Sequence, residues 1–234
     1  QHIVAFYAAA MIGATHTPIN VMYQADEVAY QVKDSGARAI LVLDLLYGQV
    51  RPLVESGVIE QAVVTNIKDW AASDAIVPEA LKMFWDVPKN PVPGTLDFFE
   101  ALKKHEPLGA SEPVDPHADT ALLLYTAGTT GRSKGVIETH FNLVFNSLTH
   151  THAFRAWGDR EINFSIMPMF HTAGYFLHLL PTFYQGGTVI PIPMFDLADA
   201  YRVIETYGVN VIFAPPTFFI AMMSNKELIQ SHDL

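Results

Sequence analysis

The regular alternation of short apolar runs with helical patterns is the feature that most restricts the fold. A helical pattern opens at Asp26 and ends at Gly36, and residues 37–43 then form an apolar run. A second helical pattern over residues 45–55 leads to another apolar run, Gln61–Thr65. Such alternation favours parallel strands, because each helix carries the chain back to the same end of the sheet. The sequence therefore predicts an α/β fold of mostly parallel sheets flanked by helices.

The second half of the chain continues this alternation. Strands are predicted over residues 161–167, 187–192 and 209–213, and helices over 140–154, 174–184 and 197–207. Residues 71–118 differ, because they hold seven prolines and show poor periodicity outside a short helical pattern at 98–104. We therefore expect an α/β subdomain over residues 1–70, a proline-rich connector over 71–118 and a second α/β subdomain over 119–234.

Charge and composition argue against several classes of protein. The 234 residues carry a formal net charge of −10, which would repel the phosphates of a nucleic acid. No run reaches the roughly 18 apolar residues of a membrane-spanning helix, so no transmembrane segment is expected, while peripheral membrane contact and a homodimer stay open. The absence of cysteine is consistent with a reducing compartment, and the cytoplasm is the expected location.

The stretch 122–136 carries the clearest chemistry in the chain. Its sequence, LLLYTAGTTGRSKGV, passes from an apolar strand pattern into glycines and hydroxyl residues, and then reaches Lys134. Glycines permit tight turns whose backbone N–H groups can surround an anion. Hydroxyls add hydrogen-bond donors, and the lysine adds a point charge suited to phosphate. The stretch predicts a polyphosphate-binding loop, with a plain surface turn as the alternative.

This loop is not a Walker A motif. That motif requires Gly-Lys-Ser/Thr, whereas Lys134 follows Ser133 and precedes Gly135. Residues 125–136 instead resemble the signature of the adenylate-forming (AMP-binding) enzymes, Tyr/Phe-Thr-Ser-Gly-Thr-Thr-Gly-x-Pro-Lys-Gly-Val. They depart from it at Ala127, where the family usually has serine, and at Ser133, where it usually has proline.

The resemblance implies roles for the loop residues. In the family this loop holds the phosphates of ATP, so the implied nucleotide-binding residues are Thr126, Ala127, Gly128, Thr129, Thr130, Gly131 and Lys134, with Lys134 also implied as catalytic. The resemblance further implies ATP, magnesium and coenzyme A as cofactors or cosubstrates.

Two further blocks resemble family motifs that border the acid. Pro168-Met169-Phe170-His171-x-x-Gly174 resembles Pro-x-Phe-His-x-x-Gly, and Ala214-Pro215-Pro216-Thr217 resembles the block that lines the acyl or aryl pocket. The resemblance implies that His171 is catalytic and lies beside nucleotide and acid. It implies a substrate pocket formed by His171, Gly174, Ala214, Pro215, Pro216 and Thr217. A histidine that caps a strand and ordinary core packing are the alternatives.

Other chemistry is weakly indicated. Neither His150 with His152 nor His171 with His178 is completed by a cysteine or by paired carboxylates, so no metal site held by protein ligands is predicted. A Ser-His-Asp catalytic triad is not predicted either.

The resemblance implies part of the large N-terminal domain of an acyl-CoA synthetase, and residues 13–42 add a block that is structural in that family. The implied reaction is ATP-dependent activation of a carboxylic acid, with a fatty acid as first candidate, to an acyl-adenylate and then a CoA thioester. An aryl-CoA synthetase or luciferase-like enzyme is the alternative in the same class, and a non-catalytic nucleotide-binding module is the alternative of another class. Because the family's adenine, ribose and C-terminal lysine blocks are not found, residues 1–234 alone are expected to be inactive.

Overall fold

The computed structural model describes residues 1–71, 75–126, 131–154 and 158–233. The chain forms two compact units, of which the first comprises Gln1–Ser73 with Val87–His140 and the second comprises Asp74–Asp86 with Phe141–Leu234. Both units contain sheets flanked by helices, and two of the three sheets formed by the described residues are parallel throughout. The predicted α/β class is confirmed.

The helices are α1 (His2–Met11), α2 (Ala25–Ser35), α3 (Tyr47–Glu55), α4 (Lys82–Trp85), α5 (Phe98–Lys104), α6 (His140–Phe154), α7 (Leu180–Tyr184), α8 (Leu197–Tyr207), α9 (Pro216–Ser224) and α10 (Lys226–Ser231). The strands are β1 (Ala39–Leu43), β2 (Gln61–Thr65), β3 (Leu96–Asp97), β4 (Thr120–Thr126), β5 (Lys134–Thr139), β6 (Ile162–Ser165), β7 (Thr188–Pro191) and β8 (Val211–Ile212). Short 3-10 turns occupy Asp44–Leu46, Glu79–Leu81 and Gly158–Arg160, and a π-helix occupies Gly174–Leu179.

The first unit is built on the parallel sheet β1-β2-β3. Helices α2 and α3 cover it through a buried cluster of branched apolar side chains, namely Val28, Val32, Val50, Leu53 and Ile59. Burial of each such side chain contributes about 1.5–3 kcal/mol, which is why the helices pack here. Helix α2 begins with a capping box between Gln24 and Glu27 and ends at Gly36 in a left-handed conformation (φ 67°).

A hairpin in the first unit carries the predicted phosphate loop. Strands β4 and β5 pair antiparallel, with Leu123 opposite Ile137 and Thr126 opposite Lys134. On its other side β4 exchanges backbone hydrogen bonds with His16, at 3.0 and 2.8 Å. Strand β5 begins at Lys134, so this predicted phosphate-binding residue belongs to the strand.

The second unit is built on a parallel sheet in which β6 lies between β7 and β8. One face of β6 presents Phe164 to a buried cluster from α8 and α9 that also contains Ala200, Val203, Ile204 and Phe218. Helix α8 is capped at its start by the Asp196 carboxylate and ends at Gly208, whose φ of 61° favours glycine.

The predicted helix over residues 174–184 differs from the expectation in its first half. Residues Gly174–Leu179 form a π-helix, and the α-helical conformation begins only at α7. A π-helix is rare and is frequently found at functional sites. The segment Gly174–Leu179 is therefore a candidate functional region.

Candidate functional site

The hairpin β4–β5 brings two of the predicted phosphate-binding residues together. Thr126 and Lys134 form the last ladder pair before the loop, and directly opposed residues have Cβ atoms about 5 Å apart. Both side chains are exposed, as is Gly131. The predicted residues Ala127, Gly128, Thr129 and Thr130 lie outside the described residues. The described part of the site is thus a mouth that presents one hydroxyl and one ammonium group on neighbouring strands.

Among the described residues, no ion pair neutralises the charge of Lys134. The next residue, Gly135, packs against the strand opposite. A Cβ atom at this position would lie 3.0 Å from Leu123 Cδ1 and 3.3 Å from Tyr125 Cε2. Glycine at position 135 therefore allows β4 and β5 to pair closely next to the loop.

Helix α2 holds both stems of the loop through two tyrosine hydroxyls. The Tyr125 hydroxyl, before the loop, donates to Asp34 Oδ2 at 2.7 Å. The Tyr30 hydroxyl donates to the backbone carbonyl of Ser133, after the loop, at 3.0 Å. Burial, reinforced by the hydrogen bond to Asp34, raises the pKa of Tyr125, so this phenol remains a donor across the physiological range. One helix thus fixes the two ends of the loop relative to each other.

A cleft lies beside the loop on the same helix. Its volume is about 510 Å³, and its lining consists of Asp26, Ala29, Tyr30, Lys33, Asp34 and Arg132. The Arg132 guanidinium lies 4.9 Å from the centre of the Tyr30 ring, a cation–π distance. Tyr30 therefore contacts the loop through both its hydroxyl and its ring.

Sequence reasoning did not identify Tyr30 and Asp34. A signal was present, since residues four apart share one face of a helix and both lie within the 13–42 block that resembles the family. Their partners, however, are 103 and 91 residues away in the chain, so the contacts depend on the tertiary fold.

The second unit brings the two predicted acid-binding segments to one edge of its sheet. His171 follows β6 and Ala214 follows β8, and these strands are parallel neighbours. Consecutive residues of β6 point to opposite faces. Asn163 bonds to His178 of the π-helix, while Phe164 packs with Phe218 of α9. The chain therefore leaves β6 toward one face and β8 toward the other.

This divergence has a known consequence for binding. In open α/β sheets, ligands bind in the crevice that opens at the carboxyl ends of two neighbouring strands whose connections leave on opposite faces. The carboxyl ends of β6 and β8 meet this description. The crevice between them, which we call the β6/β8 crevice, is the candidate small-molecule site of the second unit.

His171 lies in an ordered turn at this edge. Its side chain is exposed, its backbone N–H donates to the Pro168 carbonyl at 3.0 Å, and its Nδ1 accepts from the backbone N–H of Ala173 at 3.1 Å. A neutral ring that accepts at Nδ1 carries its proton on Nε2. His171 can thus offer a hydrogen-bond donor at this edge, while its local bonding also matches the alternative of a histidine that stabilises a turn.

The other predicted pocket residues have different surroundings. Gly174 is buried against the backbone of Pro168, Ala214 is partly buried against the cluster around Phe164, and Pro215, Pro216 and Thr217 are exposed at the start of α9. Gly174 thus has a packing role that the sequence did not indicate, and a pocket role for these residues stays a prediction.

The described residues contain neither a membrane-spanning helix nor a metal-binding cluster. No helix among them is long and apolar enough to cross a bilayer. The same residues contain no group of three or more histidine, aspartate or glutamate side chains placed to hold a metal ion.

Comparison with known proteins gives consistent similarities. A family model described as AMP-binding enzyme matches residues 1–234. The long-chain-fatty-acid–CoA ligase of Bacillus subtilis is 26% identical over 243 residues, covering 100% of this chain and 42% of that protein. The 4-coumarate–CoA ligase-like protein 8 of Arabidopsis thaliana is 31% identical over 219 residues, covering 93% of this chain and 36% of that protein.

Solved structures give the same result. The crystal structure of a long-chain-fatty-acid-CoA ligase from Archaeoglobus fulgidus matches with a TM-score of 0.75 at 27% identity, covering 96% of this chain and 39% of that one. The chain thus spans about two fifths of the length of the relatives it matches.

Proposed function

The chain belongs to the AMP-binding enzyme family, and on that premise we propose that the complete protein activates a carboxylic acid, with a fatty acid as first candidate, as its CoA thioester. In the first step a carboxylate oxygen attacks the α-phosphorus of ATP, the bond from the α-phosphorus to the bridging oxygen breaks, and pyrophosphate leaves. In the second step the sulfur of coenzyme A attacks the acyl carbon, AMP leaves and the thiol proton is released.

The observation that carries this proposal is the mouth of the β4–β5 hairpin. Thr126 and Lys134 stand opposite each other where a loop rich in glycine and threonine begins and ends. Lys134 would bind the β- and γ-phosphates as a point charge, and Thr126 with Gly131 and residues 127–130 would complete the donors. Magnesium would accompany the nucleotide. The protein would act mainly by positioning reactants and stabilising charge.

The relatives support a ligase and leave the acid open. Those named above act on long-chain fatty acids or are named for coumarate, and a further relative from Arthrobacter is named for 4-chlorobenzoate. We place the acid at the β6/β8 crevice, beside His171 and Ala214. The cytoplasm is the proposed location.

The experiment that tests the proposal is acid-dependent exchange of pyrophosphate into ATP by the complete protein, measured over short, long and aromatic acids. Exchange with at least one acid, followed by thioester formation on addition of coenzyme A, is the expected result. ATP binding without exchange for any acid would favour the second candidate, a non-catalytic nucleotide-binding module. That candidate is motivated by the departures from the family signature at Ala127 and Ser133.

The Tyr30 hydroxyl should matter for ATP and not for the acid. Tyr30→Phe removes the hydrogen bond to the Ser133 carbonyl, a loss of about 0.5–1.5 kcal/mol, so we expect the KM for ATP to rise about three- to tenfold. Steady-state kinetics with varied ATP and varied acid separate the two effects. Tyr47→Phe, on α3, is the matched control and should leave both KM values unchanged. A rise in the KM for the acid alone would contradict a role for Tyr30 in holding the loop.

Ala214 should limit the size of the acid. Ala214→Leu adds three carbon atoms beside the β6/β8 crevice, so the ratio of kcat/KM for long acids to that for short acids should fall severalfold. Ala153→Leu adds the same atoms on an exposed position of α6 and serves as the control. Because Ala214 also contacts the core cluster around Phe164, thermal unfolding of each variant is measured in parallel. An unchanged ratio in a folded Ala214→Leu protein would place the acid elsewhere.

A further inference from the structure

A chain of buried polar groups in the second unit ends at an imidazole nitrogen. The Asn163 amide nitrogen donates to Glu161 Oε1 at 3.1 Å, and the Asn163 amide oxygen lies 2.7 Å from His178 Nδ1. Asn163 and His178 are each 0% exposed. Thr182 and Gln185 also donate to the Glu161 carboxyl group, which therefore serves as an acceptor.

These hydrogen bonds determine which nitrogen of His178 is a donor and which is an acceptor. Because Glu161 accepts from the Asn163 NH₂ group, the oxygen of Asn163 must face His178 and accept from Nδ1–H. Burial lowers the pKa of His178 to about 4, so the ring is neutral at pH 7 and its second nitrogen, Nε2, is a bare acceptor. Nε2 is buried and has no hydrogen-bond partner among the residues that the structure describes.

Other buried polar atoms near His178 are likewise unpaired in the described part of the chain. Ser165, which is 1% exposed, shares the face of β6 that carries Asn163, and its Oγ has no partner. Both ring nitrogens of His150, on α6, are buried and have none. The rings of His150 and His178 lie 4.9 and 6.3 Å from the ring of Phe213. We call Ser165, His150 and His178 the inner polar cluster.

The inner polar cluster adjoins the β6/β8 crevice. Ser165 is the last residue of β6, and Phe213 is the first residue after β8. Ile212 packs into the core cluster on the opposite face, and the alternation along β8 turns Phe213 toward the histidines. The cluster therefore lies behind the edge where His171 and Ala214 were predicted to border the acid.

Two physical arguments indicate a ligand group at the cluster. Each buried polar group without a partner destabilises the folded protein, a cost that apolar side chains would avoid. His178 is carried by the π-helix Gly174–Leu179, a rare backbone form that is frequently found at functional sites. A bare imidazole nitrogen requires a donor as its partner, and an O–H group meets that need while also accepting from the Ser165 hydroxyl.

From these contacts we infer that the inner polar cluster binds a hydroxyl group remote from the carboxylate, so that the acid is a hydroxylated one, either phenolic or aliphatic. The inference rests on the proposed function and deepens it. Sites built to hydrogen-bond a hydroxyl discriminate strongly against the analogue that lacks it, because their polar groups are then left unpaired.

The test uses acids in pairs that differ by one hydroxyl. The complete protein is given para-hydroxycinnamate against cinnamate, and ω-hydroxypalmitate against palmitate, and kcat/KM is measured by pyrophosphate exchange. We expect a preference of about tenfold or more for the hydroxylated member of one pair, and the pair that shows it distinguishes a phenolic from an aliphatic acid. Equal use of both members in both pairs overturns the inference while the proposed function stands. Exchange with no acid at all, in these pairs or the wider panel, instead overturns the proposed function.

A variant then tests His178 itself. His178→Leu removes the acceptor and should reduce the preference about tenfold, by lowering kcat/KM for the hydroxylated acid and not for the plain one. His152→Leu, an exposed histidine on α6, is the matched control and should keep the preference. If His178→Leu does not fold, Ser165→Ala deletes one oxygen and should reduce the preference severalfold. A preference that persists unchanged in a folded His178→Leu or Ser165→Ala protein contradicts the inference.

Discussion

Replacing Lys134 by alanine should lower kcat/KM for ATP about five- to 150-fold in the complete enzyme. The ammonium group stands at the mouth of the β4–β5 hairpin, opposite Thr126, and none of the ion pairs among the described residues engages it. Loss of a hydrogen bond to a charged group costs about 1–3 kcal/mol, which sets the expected range. Steady-state kinetics with varied ATP at saturating acid give the measurement.

Two further variants make the Lys134 result specific. Lys104→Ala removes an exposed lysine at the end of α5 and should leave ATP kinetics unchanged. Lys134→Arg keeps the charge with a different donor geometry and should recover part of the loss. ATP kinetics of Lys134→Ala equal to those of the wild type would remove the hairpin from the nucleotide site.

Elements whose stability is local were predictable from the sequence. The predicted bounds of β2, α5, α6 and α8 agree with the structure, and α5 and α8 each begin at an aspartate whose side chain caps the helix. Strand β3 was not predicted, since its two residues are extended only because they pair with β2. The π-helix was not predicted either, because its apolar sequence is equally suited to an α-helix.

The same distinction applies to the candidate sites. The phosphate loop was predictable because its glycines, hydroxyls and lysine are contiguous in the sequence. The hydrogen bonds that link Tyr30 and Asp34 to the stems of the loop were not predictable, because they join residues that are more than ninety positions apart in the sequence. The sequence places His178 only in a possible metal-binding pair with His171, which no cysteine or paired carboxylates complete. The role of His178 depends on Asn163, 15 residues earlier on a strand, and neither residue indicates that contact by itself.

Replacing Gly174 by alanine should destabilise the second unit and impair use of the acid together. A Cβ atom at Gly174 would lie 2.3 Å from the Pro168 carbonyl oxygen, 2.9 Å from its carbonyl carbon and 3.0 Å from Met169 Cα. All three are backbone atoms, so the turn that carries His171 must move. Overpacking of this kind costs about 1–3 kcal/mol and occasionally more. We expect the free energy of unfolding, measured with denaturant, to fall. We expect kcat/KM for the acid to fall as well.

A second glycine provides a control in which the change in stability is expected to have the opposite sign. Gly48 lies in α3, and a Cβ atom there would meet nothing within 4 Å. Gly48→Ala should therefore stabilise the protein by about 0.5–1 kcal/mol through its higher helix propensity, without effect on kinetics. If Gly174→Ala were as stable as the wild type, the backbone of Pro168 could not lie as close to Gly174 as described. If it were destabilised while kcat/KM for the acid stayed constant, the turn at His171 would be structural and the acid would bind elsewhere.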